Sequence, residues 1–441
     1  VSALNIAQVR RVIRDCDPLV VEGRVVRASG LVIEALLPAA AVGTACEIHA
    51  SDGRQISAEV VGFTGSNALL MTFGDTRGIS ENCAVRPQGR GAEVSVGDGL
   101  LGRIVNPSMR PLDGGTAPIL NHRVPLDASP PPAMTRRRIE QTVHTGIRAI
   151  DGLLTLGQGQ RVGIMAGPGV GKSVLLGMLA RHADADVIVV GLIGERGREV
   201  REFVERDLGT SLAHSVVVVA TADESPLVRV RAGMAATAVA EHFRRSGRRV
   251  LLLVDSLSRI CMAQREIGLA AGEPPTSKGY PPSVFASVPR LVERAGNDSG
   301  PGSITALYTL LAEGDDLTDP VVDTARASLD GHIVLSRRLA SGGHFPAVDV
   351  LQSISRVMND VVSEDHLKAS QAARDILATY RDSADLIEVG AYAAGSNPRV
   401  DRAIKGYAPL QGFLRQGPNE TTSLSDTIAR LRRIAIDGAT S

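Results

Sequence analysis

Residues 166–173 read Ala-Gly-Pro-Gly-Val-Gly-Lys-Ser and constrain the fold more than any other stretch of the chain. The residues before them, Arg161-Val-Gly-Ile-Met165, suit a short buried strand, and those after, Val174-Leu-Leu-Gly-Met-Leu-Ala180, have helical spacing. A glycine-rich turn between strand and helix aims several backbone N–H groups at one point. The helix N-terminus adds partial positive charge there, so the point favours a phosphate chain. Gly167, Pro168, Gly169, Val170, Gly171 and Val174 would form the cradle. Lys172 would reach the outer phosphates and the Ser173 hydroxyl would ligate Mg²⁺. The first position of the pattern is Ala166 rather than Gly; Ala is small enough for the turn.

A P-loop implies an open α/β sheet, and the sequence supplies one. Val162–Met165, Val187–Ile193, Ser215–Ala220, Val250–Val254, Ile304–Leu310 and His332–Leu335 are mostly continuous apolar runs, as parallel strands covered on both faces are. Helical stretches such as Leu227–Arg245 and Ser283–Ala295 lie between them. The sequence ahead of this core differs. From about Leu19 to Arg86, short β-rich runs alternate with Gly, Asn, Asp and Ser turns, predicting a small barrel. Leu4–Ile13 has the periodicity of a short helix, and the prolines between residues 105 and 135 predict a long ordered loop. After Asn359 the spacing is helical: His366–Arg381, Asn397–Gln416 and Ser423–Ile436.

Two carboxylates fit the chemistry of a phosphate site. Asp255 ends the apolar run Val250–Val254, where it would emerge at the sheet edge and hold the metal's shell; capping the next helix is its ordinary alternative. Glu195 follows the strand Val187–Ile193 and would position the attacking water, provided that this strand neighbours the P-loop strand; a surface carboxylate in a charged loop is its alternative.

Bulk properties narrow the function. Lys+Arg and Asp+Glu are 48 each, so the formal net charge is zero, which argues against a protein built to grip nucleic acid. Arg136-Arg137-Arg138 is the densest basic run and reads as a solvated linker. Cys16, Cys46, Cys83 and Cys261 form no C-x-x-C pair and read as reduced thiols of a cytosolic protein. No apolar run approaches the roughly 18–20 residues of a membrane span, and no secretory signal opens the sequence.

Several stretches resemble the catalytic subunits of rotary ATP synthases: Gly194-Glu-Arg-Gly-Arg-Glu199, Leu329-Asp-Gly-His-Ile333 and Ser353-Ile-Ser-Arg356. Ala263–Leu269, Gly272–Pro275, Gly279–Phe285, Leu291–Gly296 and Phe345–Leu351 are similar, more specifically, to the ATPases of type III secretion and flagellar export, and Gly390–Tyr392 and Gly395–Pro398 extend the match. The resemblance implies a RecA-like P-loop core (88–358) between a small N-terminal β-barrel domain (1–87) and a C-terminal helical domain (359–441). It implies ATP as substrate and Mg²⁺ as metal, Glu195 as catalytic carboxylate with Arg196 beside it, and Arg356 as an arginine finger entering the neighbouring subunit's site. Phe345 would lie beside adenine and Phe413 would form the second adenine wall; a core aromatic is the alternative for each.

Implied partners are other copies in a homohexamer, a central stalk protein, a peripheral regulator of the N-terminal region, chaperone–effector complexes and the export apparatus at the inner membrane. No specific nucleic acid is implied. Location would be cytoplasmic, peripheral to that membrane, at the base of the apparatus. Val96–Arg103 looks more like the injectisome branch than the flagellar one. Four alternatives stay open: a flagellar export ATPase, a synthase catalytic subunit, an RNA translocase of the same core, and a non-hydrolysing scaffold. Aromatics at 3% and the lack of Trp leave little for RNA stacking.

Overall fold

The computed structural model describes residues 21–38, 40–88, 92–312 and 319–436. The helix expected at Leu4–Ile13 and Cys16 lie outside these residues. Two compact units emerge. One comprises the described residues between 21 and 93 together with 267–273, and the other the remainder.

In the first unit, β1 (Gly23–Ser29), β2 (Val32–Leu36), β3 (Ala45–His49), β4 (Gln55–Thr64), β5 (Asn67–Thr72) and β6 (Ala84–Pro87) close a barrel in the order β1-β2-β5-β4-β3-β6. Alternation builds its core: Cys46 and Ile48 on β3, and Ile56, Ala58 and Val60 on β4, point inward while their neighbours face out. Two closing strands, β3 and β6, were not foreseen. β6 has four residues, too few to show a period, and β3 alternates over only five, Ala45-Cys-Glu-Ile-His49.

The second unit is built on a nine-stranded sheet. Its main strands are β7 (Arg103–Val105), β8 (Arg161–Ala166), β9 (Val187–Glu195), β10 (Ser215–Thr221), β11 (Arg249–Asp255), β12 (Ser303–Leu311), β13 (Gly331–Leu335) and β14 (Ile354–Ser355). They run in the order β14-β13-β8-β12-β11-β9-β10-β7, all parallel except β14, which runs antiparallel to β13. β7 falls at the start of the stretch expected to be loop.

Helix α1 (Lys172–His182) follows β8 directly, and α2 (Pro226–Arg245) links β10 to β11. The C-terminal helices are α3 (Glu364–Glu388), α4 (Pro398–Leu414) and α5 (Leu424–Ala435). Serine caps start α3 and α5, Ser363 and Ser423 accepting from His366 and Asp426 N–H. Ala369, Ala373, Ile376, Leu410, Phe413 and Leu431 of these helices share one core with Ile147, Ile150 and Leu179 beneath the sheet. That shared core fixes the helical layer against the sheet. No helix among the described residues is long and apolar enough to cross a membrane.

Candidate active site

The site lies where β8, β11 and β9 end. In the loop after β8, Gly169 and Gly171 sit at φ +77° and +89°, which side-chain-bearing residues rarely adopt, so glycine is needed there. Gly171 is the N-cap of α1, and its helix carries no acidic residue in the first turn, leaving the N–H cluster uncompensated. Ser173 is exposed on that turn, and Gly167 and Val170 are buried beneath the exposed Pro168 and Gly169.

Lys172 reaches back across the strand ends. Its Nζ lies 2.6 Å from Asp255 Oδ1 and 3.4 Å from Glu195 Oε1. Burial works against its charge, but Asp255 and Glu195 outweigh burial and hold the ammonium above its ordinary range. The Thr309 hydroxyl of β12, fully buried, donates to Asp255 Oδ1 at 2.6 Å. Asp255 is thus held from both sides, not capping a helix. Sequence reading missed Thr309; its only signal was a hydroxyl in the apolar run Ile304–Leu310.

The condition set for Glu195 is not met. β9 does not neighbour β8: β12 and β11 lie between, about 14 Å at normal strand spacing. Glu195 arrives by another route. Gly194 at φ +73° shifts the register with β10 between Ile193 and Glu195, carrying the carboxylate beyond the sheet edge. A side chain at Gly194 would collide with Arg259, 2.9 Å from the Cβ position. The long Lys172 side chain closes the remaining gap.

Burial, a hydrogen bond with Glu199 and repulsion from Asp255 push the Glu195 carboxyl up to about 7, against the pull of Lys172. That same hydrogen bond, with Arg196 nearby, holds Glu199 below the usual range. Glu199 belongs to the Gly194–Glu199 stretch, where sequence alone offers no role for it. Below about pH 7 Glu195 carries its proton and cannot accept another; above it, the carboxylate is free. Since kcat/KM reports the free enzyme, it is expected to rise with pH through about 7 and then level off. A pH-independent kcat/KM between 6 and 8.5 would count against Glu195 as the base.

The remaining candidates fall in different places. The Phe345 ring is 46% exposed and lies 3.5 Å from where a Gly171 Cβ would be, beside the phosphate loop. Its carbonyl accepts from Gln416 N–H at 2.8 Å. Phe413 is 1% exposed, packed against Gly152 in the core, and its carbonyl accepts from Arg148 at 2.7 Å. It has no face left for a base, so the core alternative holds. Arg196 is exposed at the start of a short helix, its carbonyl accepting from Glu199 N–H at 2.9 Å.

Arg356 is exposed and follows β14. Its N–H donates to the Asp330 carbonyl at 2.9 Å, and the Asp330 carboxylate binds Arg161 at the start of β8. Arg356 therefore sits at the end of the sheet opposite its own Lys172, the length of β8 away, about 17 Å. It cannot serve its own phosphate site.

The oxygens present fit Mg²⁺. Mg²⁺ usually binds one or two protein oxygens plus substrate phosphates. Ser173 and Asp255 offer a hydroxyl and a carboxylate at the loop, and no three His, Cys, Asp or Glu side chains cluster as an all-protein cage among the described residues. Thr309→Val should leave the fold intact but free the Asp255 carboxylate to rotate. The Mg²⁺ concentration giving half-maximal ATPase activity is expected to rise about 10-fold or more, a hydrogen bond to a charged group being worth about 1.5–3 kcal/mol. An unchanged Mg²⁺ requirement would show that Thr309 does not orient Asp255.

Comparison with known proteins gives matches along most of the chain. Residues 25–89 match the ATP synthase alpha/beta family β-barrel domain, 146–355 its nucleotide-binding domain, and 362–433 the T3SS EscN ATPase C-terminal domain. The chain is 50% identical over 412 residues to the flagellum-specific ATP synthase of Bacillus subtilis, covering 93% of this chain and 94% of that protein. It is 50% identical over 420 residues to the type 3 secretion system ATPase of Sinorhizobium fredii, covering 95% and 93%. The assembled ATPase EscN from the enteropathogenic E. coli type III secretion system superposes with a TM-score of 0.90 at 44% identity, covering 94% of this chain and all of that one. EscN in complex with its central stalk EscO gives 0.86 at 43% identity, with the same coverage. The chain belongs to the flagellar and type III secretion ATPases of the ATP synthase alpha/beta family.

Proposed function

We propose that this chain is the ATPase of a type III protein secretion system, hydrolysing ATP with Mg²⁺ at the subunit interfaces of a homohexamer. The observation that carries the site is the convergence of Lys172, Asp255 and Glu195 at one end of the sheet while Arg356 stands exposed at the other. Such a chain is two half-sites, and head-to-tail rotation joins each to its complement and closes a ring.

In this reading the loop N–H groups and Lys172 bind the phosphates, and Phe345 lies along the adenine. Ser173 and Asp255 would hold Mg²⁺, which when bound offsets charge on the phosphates. Glu195 orients the attacking water and takes its proton. Arg356 of one subunit stabilises charge developing on the phosphoryl group in the next, while the hydrogen bond with Glu195, aided by Arg196, keeps Glu199 ionised. The three working parts are 1–87, 88–358 and 359–441. The expected partners are a central stalk, a regulator on the N-terminal part, chaperone–effector complexes and the export apparatus at the inner membrane, with the ring at its cytoplasmic base. Chaperone release and unfolding of exported proteins are the work done.

The second reading is flagellar export by the same chemistry. Flagellum-specific relatives match as closely as secretion ATPases do, 51% for that of Pseudomonas aeruginosa. Deletion of the gene separates the two. The first reading predicts loss of effector secretion with motility retained, restored by wild type and not by Glu195→Gln. Loss of motility with secretion intact would establish the second.

A further inference from the structure

Arg356 acts only if its guanidinium is presented at a fixed place, yet it stands on a two-residue edge strand, β14. What holds that strand is visible on its inner side. The Ser355 hydroxyl donates to the Thr155 carbonyl at 2.8 Å and accepts from Gln160 Nε2 at 3.1 Å. The Ser353 hydroxyl donates to the Asp349 carbonyl at 2.6 Å and accepts from Val334 N–H at 2.9 Å. All of these ties come from the sheet and the segments beside it.

One tie comes from elsewhere. Arg374, nearly three turns into α3, turns its guanidinium towards the segment leading into β14. Nη1 donates to the Val350 carbonyl at 2.5 Å and Nη2 to the Leu153 carbonyl at 2.8 Å. Both nitrogens lie 3.4 Å from the Ser353 carbonyl, three residues ahead of Arg356. One side chain therefore joins three separate parts: the C-terminal helix, the finger segment and the end of the short helix Arg148–Leu153. An apolar side chain would fill this space with less desolvation cost. What a planar, multi-donor guanidinium adds is simultaneous hold on several carbonyls in fixed geometry.

We infer that Arg374 is a positioning residue for the arginine finger, through which the C-terminal helical domain sets hydrolysis in the neighbouring subunit. The inference rests on Arg356 acting in trans. A displacement of α3 of about 1 Å would already lengthen the Ser353 contacts beyond hydrogen-bond range, and misplacements of that size cost about 100-fold in rate elsewhere.

The test uses the full-length ring. Arg374→Met is expected to lower kcat about 10- to 100-fold while affinity for a fluorescent ATP analogue changes by less than about twofold. Arg374→Lys keeps the charge and part of the hold, and should retain intermediate kcat in normally assembled rings. Mixing Arg374→Met with Glu195→Gln should restore activity, because the second variant lends a correctly held finger to the first variant's intact site. A merely structural defect would not be restored in this way. Wild-type kcat in Arg374→Met would overturn the inference, as would a loss that mixing fails to restore. If Arg374→Met does not assemble, wild-type kcat in Arg374→Lys overturns it. If Arg356→Ala itself retains full kcat, the trans finger fails and this inference with it. Collapse of Arg356→Ala beside a fully active Arg374→Met removes this inference alone.

Discussion

Glu195→Gln is expected to lower kcat by about 10²–10⁴-fold while nucleotide still binds. The amide keeps the shape and one hydrogen-bond acceptor but cannot take the proton of water. It also removes a carboxylate from beside Lys172, 3.4 Å away, leaving Asp255 at 2.6 Å as its main partner. Binding of ATP should therefore weaken little, and the defect should fall on kcat. The substitution also removes the group pushed up to about 7, so the residual activity should lose its rise with pH. Steady-state kinetics across pH, with binding measured separately by a fluorescent nucleotide, check this. Hydrolysis at the wild-type rate would remove Glu195 from the chemistry and leave the proton of the attacking water to another group.

Arg356→Ala is expected to lower kcat by about 10³–10⁵-fold, as loss of a finger does where measured. The structural reason to expect little collateral damage is specific. Arg356 is exposed, and no ion pair or hydrogen bond of its guanidinium is found among the described residues. Its backbone N–H bond to Asp330 survives the substitution. Thermal stability and nucleotide affinity should remain near wild type, with turnover alone lost. A large drop in stability would instead point to a structural role.

These two substitutions lie at opposite ends of one sheet, and that separation was not legible in the sequence. Local signals carried far. The phosphate loop, Asp255 at the end of an apolar run, and the three C-terminal helices were each readable because strand–turn–helix chemistry and helical period are properties of neighbouring residues. Strand order is not such a property. Glu195 was linked to the phosphates through a neighbouring strand, whereas two strands intervene and a glycine kink with a long lysine makes the approach. Thr309 could not be assigned, since only pairing of β12 between β8 and β11 places its hydroxyl on Asp255. Phe413 has the same helical periodicity whether it faces a nucleotide or a core, and burial alone resolves it. Arg374 carried no signal at all, being one basic residue on an amphipathic helix until the carbonyls it serves are brought to it by the fold.

The central claim is that one active site is made by two subunits, and mixing the two inactive variants tests it most directly. Glu195→Gln has a spoiled site and a good finger; Arg356→Ala has a good site and no finger. After dissociation and joint reassembly at equal amounts, about a quarter of interfaces pair a good site with a good finger if closure is random. The account predicts that ATPase activity returns on mixing to a level of that order, far above either variant alone. A mixture no more active than its components, in rings shown to contain both variants, would contradict it.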